Sequence, residues 1–338
     1  MNKKTAVLLI NVGSPDSPTV PAVKKYLTQF LNDKRVIDIP WLLRKILVNL
    51  IIIPFRVKKS TKLYLRLWTK KGSPLIYISE ELTQKLQNEL GTDYEVFLGM
   101  RYGIPGYKAA LQQINNKGFS KIILLPLFPQ HAMSTTETAL VAAKNEIKKL
   151  GIKARIFEVD QFYNKPQFID AFVERIREHD LKQFDHIIFS YHGLPNRQVE
   201  KCHPGIRVEN CSCTKALPAH GTFCYRATVY ETTRLIANKL QLAATDYSLG
   251  FQSRLSKNWL TPFTDELLAE KLSEGKKRIL VVAPSFVTDC LETTLEIAYE
   301  YAEEFLEKGG EKLQLVESLN THESWVKTLV HLVKSANQ

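Results

Sequence analysis

Short apolar strands alternating with longer amphipathic stretches are what most restrict how this chain can fold. Runs rich in β-branched, leucine and aromatic residues recur at 6–13, 94–99, 121–127, 153–159, 185–190, 246–251 and 278–283. Between and after them come stretches with helical spacing, at about 21–30, 79–90, 106–117, 165–178, 226–240, 264–275, 291–308 and 322–335. Continuous rather than alternating apolar strands are buried on both faces, and buried strands joined through helices form parallel sheets covered on both sides. No residue-level repeat is found, yet the βα pattern runs twice through 338 residues, long enough for two cores. The expected fold is therefore α/β, with two doubly wound (Rossmann-like, flavodoxin-like) parallel-sheet domains, 1–150 and 151–338, facing each other across a cleft.

Open sheets of this kind bind ligands at the carboxyl ends of their strands, so the residues just past each run are the candidates. The first run ends at Val12 and Gly13, but neither a Gly-x-Gly-x-x-Gly nor a phosphate-loop lysine follows, which argues against a dinucleotide site. Arg101 and Tyr102 follow 97–100, and Gln130 and His131 follow 122–126. Ser134, Thr135 and Thr136 then read as a helix N-cap with Glu137 in the first turn. His192 leaves the run 185–190 just before Gly193 and Pro195, where an imidazole can accept protons near neutral pH or sit as a satisfied structural histidine. The run 278–283 leads into Asp289, Cys290 and Glu292. If 291–308 is helical, Glu292, Glu296 and Glu300 share one face, which would also describe an ordinary solvated acidic stripe.

Two segments stand apart from the βα pattern. Residues 41–71 combine apolar runs around Trp41–Leu43 and Ile46–Ile53 with Arg44, Lys45, Arg56, Lys58, Lys59 and further cations, and contain no acid. The apolar run is too short to span a bilayer; it fits a helix pair lying in a membrane interface, the alternative being an amphipathic element packed on its own domain. A net charge of +11 is compatible with anionic lipid, nucleic acid or a polyanionic small molecule. Cys202, Cys211, Cys213 and Cys224 fall in a loop-like segment, 202–224, with His203 and His220 nearby. The N-terminus does not resemble a signal peptide, so a cytoplasmic location is expected, where four such thiols hold a metal more readily than disulfides. Their spacing matches neither a paired zinc ribbon nor the plant-type ferredoxin run, which leaves zinc and an iron–sulfur cluster open.

Ser190-Tyr191-His192-Gly193-Leu194-Pro195 together with Pro284-Ser285-Phe286-Val287-Thr288-Asp289-Cys290-Leu291-Glu292-Thr293 resembles the ferrochelatases, which insert ferrous iron into a porphyrin. Matches extend in order from Leu8-Leu9-Ile10-Asn11-Val12-Gly13 to Glu317-Ser318-Leu319-Asn320, over essentially the whole chain. The resemblance implies a lyase of haem biosynthesis acting on protoporphyrin, peripheral on the inner face of the membrane through an apolar lip at 41–71. It implies His192 and Glu292 as catalytic residues contacting the substrate iron, and a proton or metal track through Asp289, Glu296 and Glu300. Porphyrin contacts are implied for Val12, where relatives often carry Met or Tyr, and for Arg101, Tyr102, Gln130, Ser134 and Trp259. The last of these lies in the family-like patch Gly250-Phe251-Gln252-Ser253-Arg254-Leu255-Ser256-Lys257-Asn258-Trp259. A smaller group of ferrochelatases places four cysteines internally, which implies a [2Fe-2S] cluster on Cys202, Cys211, Cys213 and Cys224, with zinc as the alternative. The terminal helix is expected to return to the first domain, as the family's does. Rival readings are a cobalt chelatase for another tetrapyrrole, a non-catalytic tetrapyrrole or metal carrier, and a nucleic-acid binder, for which no recognition motif is present.

Overall fold

Ala6, Val7, Leu8, Leu9 and Ile10 are all fully buried, so the first strand has protein on both faces and lies in the middle of a sheet. The computed structural model describes residues 4–336 and divides into two compact units. The first comprises residues 4–128, 133–161 and 326–336, and the second 129–132 and 162–325.

In the first unit the elements run β1 (Thr5–Ser14), α1 (Val20–Leu31), α2 (Trp41–Ile46), α3 (Ile53–Leu67), α4 (Pro74–Leu90), β2 (Tyr94–Gly103), α5 (Tyr107–Lys117), β3 (Lys121–Pro126), α6 (Thr138–Lys149) and β4 (Arg155–Glu158). The sheet is parallel throughout, in the order β2-β1-β3-β4. Ala6, Leu8 and Ile10 pack with Leu111, Ile114, Leu140 and Ala143 of α5 and α6. Helices α1 and α4 cover the opposite face. Gly13 is required where β1 leaves the sheet: its φ is 106°, and a Cβ there would stand 1.8 Å from the Tyr102 carbonyl oxygen.

The second unit repeats the plan. It contains α7 (Pro166–Arg177), β5 (His186–His192), α8 (Asn196–Glu200), α9 (Tyr225–Leu240), β6 (Tyr247–Gln252), α10 (Thr264–Ser273), β7 (Arg278–Val282), α11 (Ala302–Glu307) and β8 (Lys312–Leu315). Its order, β6-β5-β7-β8, is again parallel. Ile188, Ile279 and Val281 pack against Leu267 and Leu268 of α10, Ile297 and Phe305. The last helix, α12 (Glu323–Ala336), begins in the second unit, where Trp325 is fully buried against Phe162 and Phe168, and from Val326 belongs to the first.

Strand β8 was not among the expected strands: Lys312-Leu313-Gln314-Leu315 is a short edge strand with mixed polarity, which leaves little periodic signal. Three stretches expected to be α-helical or a helix cap are π-helical instead: Leu47–Ile52, Met133–Glu137 and Glu292–Tyr301. Each lies on a stretch that the sequence had marked for function, in keeping with the tendency of such wider turns to occur at sites. At 47–52 a local cause is visible, because Pro54 lacks an N–H and its ring crowds the carbonyl four residues before it. In place of a helix pair, one helical run extends from Trp41 through Leu67.

Candidate active site

Both halves of the second unit's site are set by one topological fact. The strand order reverses between β5 and β7, and the crevice at such a reversal is where open α/β sheets take ligands. Strand β5 ends in His192, and the loop after β7 delivers Asp289 and the π-helical segment beginning at Glu292. Gly193 permits the turn. Its N–H donates to the Gln252 carbonyl at 2.8 Å, and a Cβ there would meet that oxygen at 2.9 Å and the Trp259 ring at 3.2 Å.

His192 is half-buried, with ring centroids of Trp259 at 6.4 Å and Phe286 at 6.5 Å. Its Nδ1 lies 2.6 Å from the Gly193 carbonyl oxygen, an acceptor only, so Nδ1 carries the proton and donates. The neutral ring therefore keeps its lone pair on Nε2. The hydroxyl of Tyr225 donates to the His192 carbonyl at 2.9 Å and holds the backbone in place. These groups form a basic nitrogen with two aromatic walls.

The acidic residues differ sharply in environment. Glu296 is only half-buried as a residue, but its carboxylate accepts the Ser253 N–H at 2.8 Å, the Ser253 hydroxyl at 2.5 Å and the Tyr301 hydroxyl at 2.9 Å. Burial pushes this carboxyl above its ordinary range, and Glu292 adds to the rise, while Ser253, His192 and Tyr301 oppose it. Glu292 is half-buried and Glu300 exposed. Because the segment is π-helical, the three carboxylates are spaced by a wider winding than the expected α-helical stripe. Asp289 is already engaged: its carboxylate accepts from Asn320 at 2.6 Å and from the Thr293 hydroxyl and Ser318 N–H, both at 3.2 Å. It fastens the start of the π-helical segment to the 317–320 motif.

The remaining expected porphyrin contacts lie in different settings. Trp259 is half-buried beside His192. Gln130 is buried and donates to Thr232 at 3.1 Å. In the first unit Val12 packs on the cluster formed by α1 and α3, and half-buried Ser134 sits in the π-helical turn before α6 rather than at a cap. Arg101 is tied to Asp33 at 2.5 Å and to the Thr138 hydroxyl at 3.0 Å. Tyr102 is buried in the core, its hydroxyl donating to the same Asp33 at 2.9 Å. Asp33 was not singled out from sequence: within Asn32-Asp33-Lys34-Arg35 nothing distinguishes it from a surface acid, and its side-chain partners Arg101, Tyr102 and Thr138 are distant in sequence.

The four cysteines come together at the start of α9. Cys211, Cys213 and Cys224 are buried and Cys202 is exposed. Cys211 and Cys213 are hydrogen-bonded to each other, and Cys224 feels all three of the others. Arg226 donates to the Cys213 sulfur at 3.1 Å, and His220 Nε2 lies 3.5 Å from the Cys211 sulfur. Burial pushes Cys213 up to about 11 and Cys224 up to about 12, so these thiols ionise near neutral pH only against a cation. Among the described residues no three His, Cys, Asp or Glu side chains already stand in the geometry of a single-ion site. Cys290 is also buried, beside Thr293, and has no cationic partner to activate it.

In the first unit, Phe55 is 84% exposed, Leu50 69% and Trp41 65%, with Leu42, Leu43 and Ile51 also exposed. Arg56, Lys58, Lys59 and Lys62 line the exposed side of α3. Arg44, one of the expected surface cations, is instead buried and donates to the carbonyls of Ile37 and Ile39 at 3.3 and 2.9 Å. No helix among the described residues is long and apolar enough to cross a membrane.

The ferrochelatase family model matches residues 4–337. A ferrochelatase of Coxiella burnetii (strain Dugway 5J108-111) is 44% identical over 346 aligned positions, covering 100% of this chain and 95% of the relative. One of Legionella pneumophila (strain Lens) is 40% identical over 331 positions, covering 98% of each. Among solved structures, the sirohydrochlorin chelatase of Bacillus subtilis subspecies spizizenii in complex with cobalt superposes with a TM-score of 0.57 over 98% of this chain and 95% of the other. At 10% identity, that likeness concerns the fold alone. With its motifs in order along two parallel α/β units and full-length relatives at this identity, the chain belongs to the ferrochelatase family.

Proposed function

We propose that the chain inserts ferrous iron into protoporphyrin IX, releasing two protons and forming protohaem. The observation that carries this reading is His192, whose Nδ1–H is committed to the Gly193 carbonyl and whose Nε2 is thereby left as a base at the sheet's reversal point. Metallation removes two pyrrole protons and brings a cation to the ring centre. Nε2 of His192 accepts a proton, and Trp259 and Phe286 offer flat apolar surface for the macrocycle. Glu292 shares the proton and the incoming iron. From there half-buried Glu292, the sequestered carboxylate of Glu296 and exposed Glu300 form a series toward solvent along which protons leave or iron arrives. Asp289 supports that series as a structural fastener.

Two further features extend the reading. Cys202, Cys211, Cys213 and Cys224 would hold a [2Fe-2S] cluster, with zinc as the alternative. Four thiolates, two for each iron, suit such a cluster, and the Arg226 guanidinium offsets the charge they would carry. Bound there, it would supply cross-linking of the loop or a redox response, and the metallation chemistry does not require it. The exposed apolar residues of 41–55, with the cations of α3, would seat the protein peripherally on the inner, anionic leaflet, from which a poorly soluble porphyrin can be drawn. That lip favours protoporphyrin over more heavily carboxylated tetrapyrroles, and the full-length relatives favour iron over cobalt.

The test is the visible spectrum of protoporphyrin mixed with the protein and Fe²⁺ or Zn²⁺, followed over time. Wild type should convert it, and His192→Ala should be slower by roughly 10²–10⁴-fold, the usual worth of a general base. Tight porphyrin binding in both forms without conversion would replace this reading with a carrier.

A further inference from the structure

Strand β6 ends at Gln252, and the next residue leaves the strand in a conformation that residues with a Cβ seldom adopt: Ser253 has φ 62°. Such a backbone persists only where its surroundings hold it, and such places cluster at functional sites. What holds Ser253 is Glu296. Because the chain turns left-handed there, the Ser253 N–H and hydroxyl both reach one carboxylate, at 2.8 Å to Oε1 and 2.5 Å to Oε2. Gln252, one residue earlier, ties in the rest of the site. Its side-chain amide donates to the Glu292 carbonyl at 3.2 Å and accepts from Ser190 of β5 at 2.7 Å, and its own carbonyl takes the Gly193 N–H at 2.8 Å. Two consecutive residues thus grip the π-helical segment at one end and the turn after His192 at the other.

We propose that Ser253 is a positioning residue for metallation, whose left-handed backbone clasps Glu296 and fixes where that carboxylate stands relative to His192. The proposal rests on the chelatase reading above. The groups facing Glu296 are His192 from the end of β5, Ser253 from the end of β6, and Glu292 and Tyr301 from its own segment, with Asp265 of α10 beyond Tyr301. Ser253 and Tyr301 fill three of the roughly four positions at which a carboxylate can accept. Glu296 is left with room for one more proton or passing cation and little capacity to chelate. A carboxylate in that state suits transfer: it accepts a charge next to the base and releases it. Without the clasp, Glu296 would be free to turn away or to bind metal with both oxygens.

The experiment is a double-mutant cycle in zinc–protoporphyrin formation, using full-length protein with Ser253→Ala, Ser253→Gly, Glu296→Ala and the two corresponding double variants. Ser253→Ala should lower kcat roughly tenfold, the size of one hydrogen bond to a charged group, while porphyrin affinity by fluorescence quenching stays unchanged. Ser253→Gly relieves the backbone strain and keeps the fold but also lacks the hydroxyl, so its kcat should fall as far. In the Glu296→Ala background neither change at 253 should have a further effect. An equal loss persisting in that background would overturn the proposal, as would a weaker porphyrin affinity with kcat retained, which would make Ser253 a direct substrate contact. Absence of turnover in wild type would sink the chelatase reading and this proposal together, whereas normal wild-type turnover with an indifferent Ser253→Ala would sink this proposal alone.

Discussion

Replacing Asp33 tests the first unit's most heavily committed charge. Its Oδ2 accepts from Arg101 at 2.5 Å, from the Thr138 hydroxyl at 2.6 Å and from the Tyr102 hydroxyl at 2.9 Å, and its Oδ1 accepts the Arg35 N–H at 2.8 Å. These contacts join the loop after α1 to the end of β2 and the start of α6. Removing one member of a buried ion pair typically costs about 3–5 kcal/mol, because the partner charge is left without compensation. Arg101 is about one-fifth exposed and can recover some hydration, so Asp33→Ala should lie near the lower end, at about 3 kcal/mol. Asp33→Asn preserves shape and some bonds and should cost less. Combining Asp33→Ala with Arg101→Ala should cost less than the two single changes added together. The pH dependence has a definite sign. Burial works against the Asp33 carboxylate, but Thr138, the Arg35 N–H, Arg101 and Tyr102 together hold it below the ordinary range. A depressed folded-state value contributes stability above the unfolded carboxylate value of about 3.9, and that contribution is lost as pH falls through the folded value. Urea denaturation of wild type and Asp33→Asn followed by circular dichroism should therefore show a gap at pH 7 that narrows toward pH 3. A cost below about 1 kcal/mol for Asp33→Ala, or a gap indifferent to acid, would refute the argument.

Three other outcomes follow from the same structure. Cys213→Ser should abolish the visible absorbance and acid-labile sulfide of protein purified without air, whereas a colourless wild type carrying one zinc per chain would assign the thiols to that metal instead. Leu50→Ser with Phe55→Ser should weaken sedimentation with anionic vesicles at least tenfold, since each buried side chain contributes about 1.5–3 kcal/mol; wild-type binding should also fall with added salt, and indifference to both changes would remove the membrane lip. Trp325→Ala should destabilise the protein by about 3–5 kcal/mol in thermal or urea unfolding, because it empties a fully buried site against Phe162 and Phe168, and Trp325→Phe should cost much less.

The fold class and most elements could be read from local pattern alone, because a strand buried on both faces must be apolar at every position. Ala6 to Ile10 and Ile187 to Phe189 are such strands. His192 and Glu292 could be named as candidates for a related reason: ligands in this architecture bind just beyond the strands, and each of these residues lies past an apolar run. Winding was not legible. Glu292, Glu296 and Glu300 fit an α-helical stripe equally well on paper, and only the packed structure shows a π-helical segment that sequesters the Glu296 carboxylate and leaves Glu300 in water. Partners distant in sequence were equally hidden. Arg101 and Tyr102 stood out only as strand-end residues, and their shared partner Asp33, nearly 70 residues earlier, is visible only in the packed structure. What the sequence alone determined is set by burial periodicity and local motif. What needed the tertiary structure is the state of each charge, because solvation and hydrogen-bond partners are properties of the packed neighbourhood and not of the residue.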